Sequence, residues 1–505
     1  MFKLIKSVAK SIRTTVANDP EVDKFVVRHS KLFGFIKKRL DPDAKFGLNL
    51  TIGIAIALLF LYFFFGIIWD IIGNDAIARS DIRIINLLQI FRTPNFTKTM
   101  LFITYLGNWQ VVFLGAALAS FILLLLKKRQ HVVALVASVV GGEFLVASSK
   151  ILFHRLRPPL LNAIIQENGY SFPSGHSLVS VTFYGIIGYF IFKSVRSKLA
   201  KVATFLGTIL IISLIGFSRM YLGVHYPTDV LGGHVAGLAW VTAVITALEI
   251  RLKSKPYSAA DSYSKKQRIV AFSLISFILW ASFLLFFYKG HPVKQPRMVL
   301  ENETIIYQSE IPDKLFANYS KTSEDITGEP MEPINIIVVG DQKILDEAFR
   351  KAGWVLADKI SLRSLYRISV SALTGKSYPE APGTPSFWNT RPNDFAYEKQ
   401  VGGKVSEREH IHFWQTPFVI KETNQRAWFA TAHFDKNIVL KKSWLPTHEI
   451  DPAVDKEREK IKDELQQTGE IRAVNKFQLV ESTLGRNQAG SKFFTDGLAY
   501  YIYLK

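Results

Sequence analysis

Ser218-Arg219-Met220-Tyr221-Leu222-Gly223-Val224-His225-Tyr226-Pro227-Thr228-Asp229 runs straight into VLGGHVAGLAWVTAVITALEI, residues 230–250. The second part is about as long and as apolar as a helix must be to cross the hydrocarbon core of a bilayer. Val202–Ser218, just upstream, is apolar as well. Two spans joined by a short turn carrying Arg, His and Asp read as a membrane hairpin with chemistry at one end. Ionisable groups at membrane depth are costly and point to function.

Working outward, seven runs have the composition of spans: Leu48–Ile72, Met100–Leu126, Val132–Phe153, His176–Phe192, Val202–Ser218, Asp229–Ile250 and Ile269–Tyr288. Asp81–Phe91 has apolar residues at helical spacing and is expected to lie in the interface as an amphipathic helix. The fold class is thus a multi-pass α-helical membrane protein. No cleavable signal peptide is expected, because the first long apolar run starts near Leu48 and has the length of a true span.

The 505 residues are 49% hydrophobic yet carry a net charge of +20. Residues 1–288 hold 32 Lys and Arg against 13 Asp and Glu, and residues 289–505 hold 30 against 29. The basic excess therefore belongs to the apolar half, which points to anionic headgroups and membrane orientation and excludes a nucleic-acid binder. There is no cysteine, so disulfides, thiolate catalysis and Cys-ligated metal centres are excluded. Eleven Lys and Arg precede Leu48, and others cluster at 127–129, 193–201 and 251–268. With seven spans these four segments share one side, which the positive-inside rule makes cytoplasmic. The connectors after spans three and five, and everything after Tyr288, are then expected outside.

Those outward segments carry the unusual polar residues. They are Lys150-Ile-Leu-Phe-His-Arg-Leu-Arg157-Pro158, Phe172-Pro173-Ser174-Gly175-His176-Ser177, and the turn from Ser218 to Asp229. Lys150, Arg157 and Arg219 offer fixed positive charge, and Arg grips phosphate oxygens bidentately. Ser174 and the N–H of Gly175, at a helix start, add donors. Together they suit charge building on a phosphorus atom. His225, with Asp229 four residues on, can be oriented with one nitrogen free for attack. His176 is placed to protonate a leaving oxygen.

The three segments resemble the signatures of the type 2 phosphatidic acid phosphatase superfamily: Lys-x6-Arg-Pro, Pro-Ser-Gly-His and Ser-Arg-x5-His-x3-Asp. The resemblance covers Leu48–Ile250. It implies a six-helix phosphatase core, here with one further span. It also implies a phosphohistidine on His225, Asp229 orienting that ring, and His176 as general acid. Lys150, Arg157, Ser174, Gly175 and Arg219 would bind the phosphate. No metal and no cofactor are implied. Soluble vanadium haloperoxidases share the signatures but lack spans. The implied substrates are lipid phosphates at the outer face, such as undecaprenyl diphosphate, phosphatidic acid, phosphatidylglycerophosphate or lipid A phosphates. Phosphotransfer to another lipid and a non-catalytic scaffold remain open beside hydrolysis. The partners expected are the lipid substrate and the bilayer, with no nucleic acid.

Glu143 lies seven residues before Lys150, on the same helical face, and is expected to pair with it. Gly232-Gly233-His234-Val-Ala236-Gly237 is expected to pack closely against a neighbouring helix.

The chain divides as a basic segment 1–47, the core 48–250, a loop and span 251–288, a linker 289–332 and a soluble domain 333–505. The last is expected to be α/β or α+β. Ile336–Val339, His410–Trp414, Trp428–His433, Phe477–Val480 and Leu498–Leu504 read as strands, and Asp451–Gln467 as a charged helix. The domain resembles the LssY C-terminal domain family on four segments. These are Ile336-Ile-Val-Val-Gly340 with Ala352-Gly-Trp354, Arg408-Glu-His-Ile-His-Phe-Trp414, Thr447-His-Glu-Ile-Asp451 with its continuation to Arg458, and Phe494-Thr-Asp-Gly497. That resemblance implies no activity, but it suggests a bacterial inner-membrane protein with a periplasmic domain. His410, His412, His433, His448 and Asp451 read as satisfied polar residues rather than a metal site. The domain is expected to cover part of the catalytic mouth, with Asp451–Gln467 and His410–Trp414 as contact surfaces.

Overall fold

The computed structural model describes residues 19–505 except 160–162, 254–272, 274–276, 278–279, 285–302, 375–377, 402–406, 441–445 and 488–489. Two short helices, α1 (Pro20–Arg28) and α2 (Ser30–Leu40), precede the first span, α3 (Leu48–Gly73). Next come α4 (Ala76–Leu88), α5 (Pro94–Leu106), α6 (Trp109–Leu125), α7 (Arg129–Phe153), α8 (Gly175–Ser194), α9 (Lys198–Tyr221) and α10 (Pro227–Lys253). Five of these are long and apolar enough to cross a membrane, and α5 with α6 makes a sixth crossing if the pair, bent by 47°, is one span. The expected run Ile269–Tyr288 lies mostly outside the described residues.

The second span departs from the sequence reading. It is two helices from Pro94 to Leu125, broken at Gly107-Asn108, and not one helix from Met100 to Leu126. Asn108 starts the second helix by accepting the N–H of Gln110 at 3.4 Å, the usual work of an N-cap. Gly107 sits so close to α9 and α8 that a Cβ there would stand 2.6 Å from Ile215 and 3.2 Å from the ring of His176. The break brings this corner to the site. The interfacial helix is present as α4, beginning five residues earlier than expected and ending in a 3-10 turn, Gln89–Phe91.

Helix α8 is the centre of the bundle. Leu178, Val179, Val181, Phe183 and Ile186 are buried against α7, α9 and α10. Leu58, Tyr62 and Phe65 on α3, Phe144 on α7 and Leu206 and Leu210 on α9 stay exposed, as lipid-facing side chains do. The glycine run of α10 is a packing surface. A Cβ on Gly233 would lie 2.7 Å from the carbonyl oxygen of Ser174, and one on Gly237 3.0 Å from that of Leu178.

The C-terminal domain is a β-rich α+β unit. Its nine-stranded sheet runs Ile471–Gln478, Leu498–Leu504, Ile336–Val339, Gln425–Leu440, Arg408–Ile420, Phe395–Gln400 and Val355–Leu356. Thr304–Ile306 is added beside Arg408–Ile420, and Pro446–Ile450 beside Gln425–Leu440. Ile336–Val339 is parallel to Leu498–Leu504 and antiparallel to Gln425–Leu440, so the sheet is mixed. Helices α11 (Gln342–Lys351), α12 (Leu362–Thr374) and α13 (Val454–Gln467) complete the unit. Leu345 and Phe349 of α11 and Ile461 and Leu465 of α13 pack with Ile411, Phe413 and Ala430. Alternate strand residues such as Trp414 and Phe429 pack with Leu315, Phe316 and Trp388. A small second sheet is formed by Pro330–Pro333, Thr322–Glu324, Phe387–Trp388 and Arg391–Pro392.

The linker reading of 289–332 is too long. Thr304–Ile306 pairs with Phe418–Ile420, and Leu315 and Phe316 are core residues, so folded structure begins by Thr304. Three-residue strands give no periodicity to read.

His410, His412 and His433 do come together, on neighbouring strands. His410 Nε2 lies 2.8 Å from Asp435, and Glu398 is on its other side at 3.5 Å. Burial opposes a charge on His410, but Asp435 and Glu398 prevail and push it up to about 9. Asp451 is elsewhere, 3.0 Å from Lys436. The His410–Trp414 segment is buried inside the sheet and is not a contact surface. The domain meets the membrane core at α4. Arg83 of α4 binds Glu324, Arg79 binds Glu329, and the Asn86 amide donates to Thr390 O at 2.9 Å.

Candidate active site

The site lies where α7 and α9 end and α8 and α10 begin. Asp229 is in the first turn of α10 and accepts the backbone N–H of Tyr226 at 2.8 Å, as an acidic residue three places into a helix does. That bond anchors the carboxylate beside the turn that carries His225. Asp229 Oδ2 is 3.5 Å from His225 Nδ1, and the hydroxyl of Ser171 donates to the same oxygen. Asp229 Oδ1 accepts Arg155 Nη1 at 2.7 Å.

On the other side of the ring, Arg157 Nη1 is 3.1 Å from His225 Nε2. Arg157 can only donate, so Nε2 presents its lone pair and Nδ1 carries the proton towards Asp229. The same guanidinium donates to the carbonyls of Val224 at 2.9 Å and Gly169 at 3.0 Å. Arg219, 1% exposed, donates to Thr104 at 2.8 Å and pairs with Glu167 at 2.7 Å. Among the described residues its buried Nε–H has no hydrogen-bond partner.

Ser174 caps α8. Its Oγ accepts the N–H of Ser177 at 3.4 Å and the Ser177 hydroxyl at 3.0 Å, which leaves its own proton to give. Its N–H donates to the backbone carbonyl of Asp229 at 3.0 Å, which ties the cap of α8 to the first turn of α10. Gly175 and His176 are the first residues of α8, and their end of the helix attracts anions. Lys150, in the last turn of α7, is within electrostatic reach of Arg157, Glu167 and Arg219. His176 is within reach of Arg219, His225, Lys150 and Arg157.

The charges bear on the loop residues in opposite ways. Burial first, then Arg219, Arg157 and Lys150, hold the His225 imidazole well below its ordinary pKa. Burial pushes Glu167 up, but Arg219 and Arg157 prevail and hold its carboxyl below the usual range. The His225 imidazole is thus pushed towards its neutral form in a cationic basin.

All eight residues expected at the site are brought together. Glu143, exposed on α7, makes no ion pair with Lys150 among the described residues, but it lies within electrostatic reach of that lysine. Four further groups belong to the site, namely Arg155, Asp81, Ser171 and Glu167. Arg155 stands inside the first signature and could have been noticed there. Asp81 carried no signal beyond its place on an amphipathic helix. Among the described residues no group of three or more His, Cys, Asp or Glu is arranged to hold a metal ion.

Both halves of the chain are similar to known proteins. Residues 131–253 match the PAP2 superfamily model, and residues 316–498 match the LssY C-terminus model. The chain is 32% identical over 188 residues to Phosphatidylglycerophosphatase B of Bacillus subtilis, covering 35% of this chain and 88% of that protein. It is 26% identical over 197 residues to an Undecaprenyl-diphosphatase of Sulfolobus acidocaldarius, covering 38% of this chain and 89% of that protein. Among solved structures, the transmembrane PAP2 type phosphatidylglycerolphosphate phosphatase from Bacillus subtilis is similar. It is 26% identical, with 41% of this chain and 98% of that one covered, at a TM-score of 0.35.

Proposed function

This chain belongs to the PAP2 superfamily of membrane phosphatases, and from that premise we propose that it removes phosphate from a lipid phosphate or diphosphate at the outer face of the membrane, through a phosphohistidine on His225. The observation that carries the reading is the line Arg157–His225–Asp229. Nε2 faces a guanidinium at 3.1 Å, and Nδ1 faces a carboxylate at 3.5 Å. A nucleophile is aimed at the place where an anion binds.

The lipid's phosphate oxygens would be bound by Arg157, Arg219 and Lys150, by the Ser174 hydroxyl and by the Gly175 N–H. The Nε–H of Arg219 would gain an acceptor. His225 Nε2 attacks phosphorus as the P–O bond to the lipid breaks, and protonated His176 gives its proton to the leaving oxygen. Asp229 stabilises the imidazolium that forms. Water then attacks phosphorus as the P–N bond to His225 breaks, His176 takes the water's proton, and inorganic phosphate leaves with His225 restored. The three cations supply the charge stabilisation that a metal ion gives in other phosphatases, so chelator should leave turnover intact.

The names of the two relatives put phosphatidylglycerophosphate and undecaprenyl diphosphate first among candidate lipids, followed by phosphatidic acid. The test is phosphate release from this panel by the purified full-length protein, with and without chelator, beside His225→Ala. Release by wild type from one or more lipids, absent in His225→Ala, is the expected result. No release from any of them, or full activity in the variant, would overturn the reading.

A further inference from the structure

Helix α4 presents two charged faces. Asp81, 2% exposed, points into the membrane core. One of its oxygens accepts the N–H of Thr228 at 3.1 Å, and the other accepts Arg155 Nη2 at 2.7 Å. Arg155 Nη1 goes on to Asp229 Oδ1 and to the Thr228 hydroxyl, both at 2.7 Å. The guanidinium also lies over the ring of Tyr226, 4.5 Å from its centre. Arg155 is thus gripped by two carboxylates and held flat, and it fixes the rotation of the carboxylate that faces His225.

The charges matter as well as the geometry. Arg155 alone would neutralise Asp229. With Asp81 added, two carboxylates share one guanidinium, so Arg155 is not spent on cancelling Asp229 alone. The Asp229 charge counts most when His225 becomes cationic during attack.

Arg79 and Arg83 stand two residues either side of Asp81, about 200° round the helix and so on the opposite face. Both reach the C-terminal domain. Arg83 gives two N–H groups to one oxygen of Glu324, at 3.0 and 2.6 Å, with both side chains largely buried. Arg79 donates to Thr327 O at 3.2 Å and pairs with Glu329. Gly328 has a φ of +81° and lies against Arg83, where a Cβ would come within 2.7 Å of the guanidinium carbon. The turn that joins Thr322–Glu324 to Pro330–Pro333 is shaped to that side chain, and the Phe387–Pro392 hairpin adds the Asn86–Thr390 bond. A helix of 13 residues is marginal without tertiary support, and here the support comes from both sides.

We infer that Asp81 and Arg155 are positioning residues for the Asp229–His225 pair, and that the C-terminal domain clamps α4 so that they stay in place. The domain then acts on the rate of phosphoryl transfer through α4 and not through contact with the lipid. The inference rests on the phosphatase reading.

The test uses the full-length protein in lipid nanodiscs, with phosphatidylglycerophosphate and a soluble aryl phosphate as substrates. Asp81→Asn keeps the shape and removes the charge. It should lower kcat by roughly tenfold to a hundredfold, the scale of a misplaced catalytic group, while KM holds. Glu324→Gln, far from the lipid, should lower kcat on both substrates in the same direction and less steeply, again with KM unchanged. Because the chain has no cysteine, docking can be read separately. Arg79→Cys with Glu329→Cys should be joined within one chain by a short bis-maleimide in intact membranes. Failure of that cross-link would overturn the inference, as would a wild-type kcat in folded Asp81→Asn or Glu324→Gln. So would a change confined to KM, which would mean that the domain governs lipid entry. A wild-type protein that releases no phosphate while the cross-link forms sinks the phosphatase reading and the inference with it. A wild type that turns over beside an unaffected Asp81→Asn sinks the inference alone.

Discussion

On the proposed phosphohistidine route His225 has to be a free base that becomes a stable cation for an instant, and its neighbours would serve those two needs separately. Burial first, then Arg219, Arg157 and Lys150, lower its pKa and favour the free base. Asp229 waits on the far side for the cation. His225→Ala should therefore abolish turnover. His176→Ala should cost roughly 10²–10⁴-fold on a lipid and much less on an aryl phosphate, whose leaving group needs no proton; steady-state rates on the two substrates check this. A pH experiment tests the electrostatics. An imidazole with a lowered pKa stays unprotonated to lower pH, so the acid limb of kcat/KM should lie below the ordinary histidine value of about 6.5. Glu167 is the one neighbour among the named causes that raises it, so Glu167→Gln should move the limb further down. The substrate's own ionisation near pH 6 is common to both proteins and drops out of the difference. A limb that stays put or moves up would contradict the account. The eight residues that the fold gathers at the site around His225 could be read from the sequence, because each sits in a short signature with fixed spacing. Asp81 could not, since it reaches Thr228 from 147 positions away and only the fold joins them.

At the scale of the element, the site depends on how closely α10 approaches α8. A Cβ on Gly233 would meet the carbonyl oxygen of Ser174 at 2.7 Å and the Cβ of Ser177 at 3.0 Å. The first is backbone, so the cap of α8 would have to move, and with it the Ser174 N–H bond to Asp229 O. Gly233→Ala should thus destabilise the protein by about 1–3 kcal/mol, as overpacking of a tight core does, and should lower phosphate release by the folded fraction. Thermal unfolding in detergent and single-temperature rates separate the two effects. An unchanged melting temperature with full activity would show that α8 has more room than its cap suggests. The glycine run was legible as a packing surface, and the bend between α5 and α6 was not. Met100–Leu126 read as one span, and what breaks it is the fit of Gly107 against Ile215 and His176, which no local pattern records. In the C-terminal domain the longer strands were visible, while Thr304–Ile306 and Thr322–Glu324 were too short to alternate.

For the whole molecule, the question is which end of the bundle faces out, and two sets of contacts give the bundle its ends. Asp81, Arg155, Asp229 and His225 tie the connectors after α3, α7 and α9 to one end. Lys253 donates to the carbonyl of Pro42, which ties the end of α10 to the segment before α3 at the other. The clusters at 127–129 and 193–201 border connectors at that second end, with the basic residues before Leu48. Positive charge concentrated at one end is what the positive-inside rule expects of a cytoplasmic end, and we propose that orientation. The C-terminal domain touches α4 at the site end, while α10 finishes at the basic end. The expected span Ile269–Tyr288 would supply the return crossing. A reporter that is active only after export, fused after Lys505, should therefore be active, and the same reporter fused after Arg129 should be silent. The reverse pattern would turn the bundle over and put the catalytic mouth on the cytoplasmic leaflet. A reporter active at both positions would mean an odd number of crossings between Arg129 and Lys505 is wrong. Either result would remove the outer-face substrate assignment while leaving the arrangement around His225 untouched, since that arrangement depends on the end of the bundle and not on the side of the membrane.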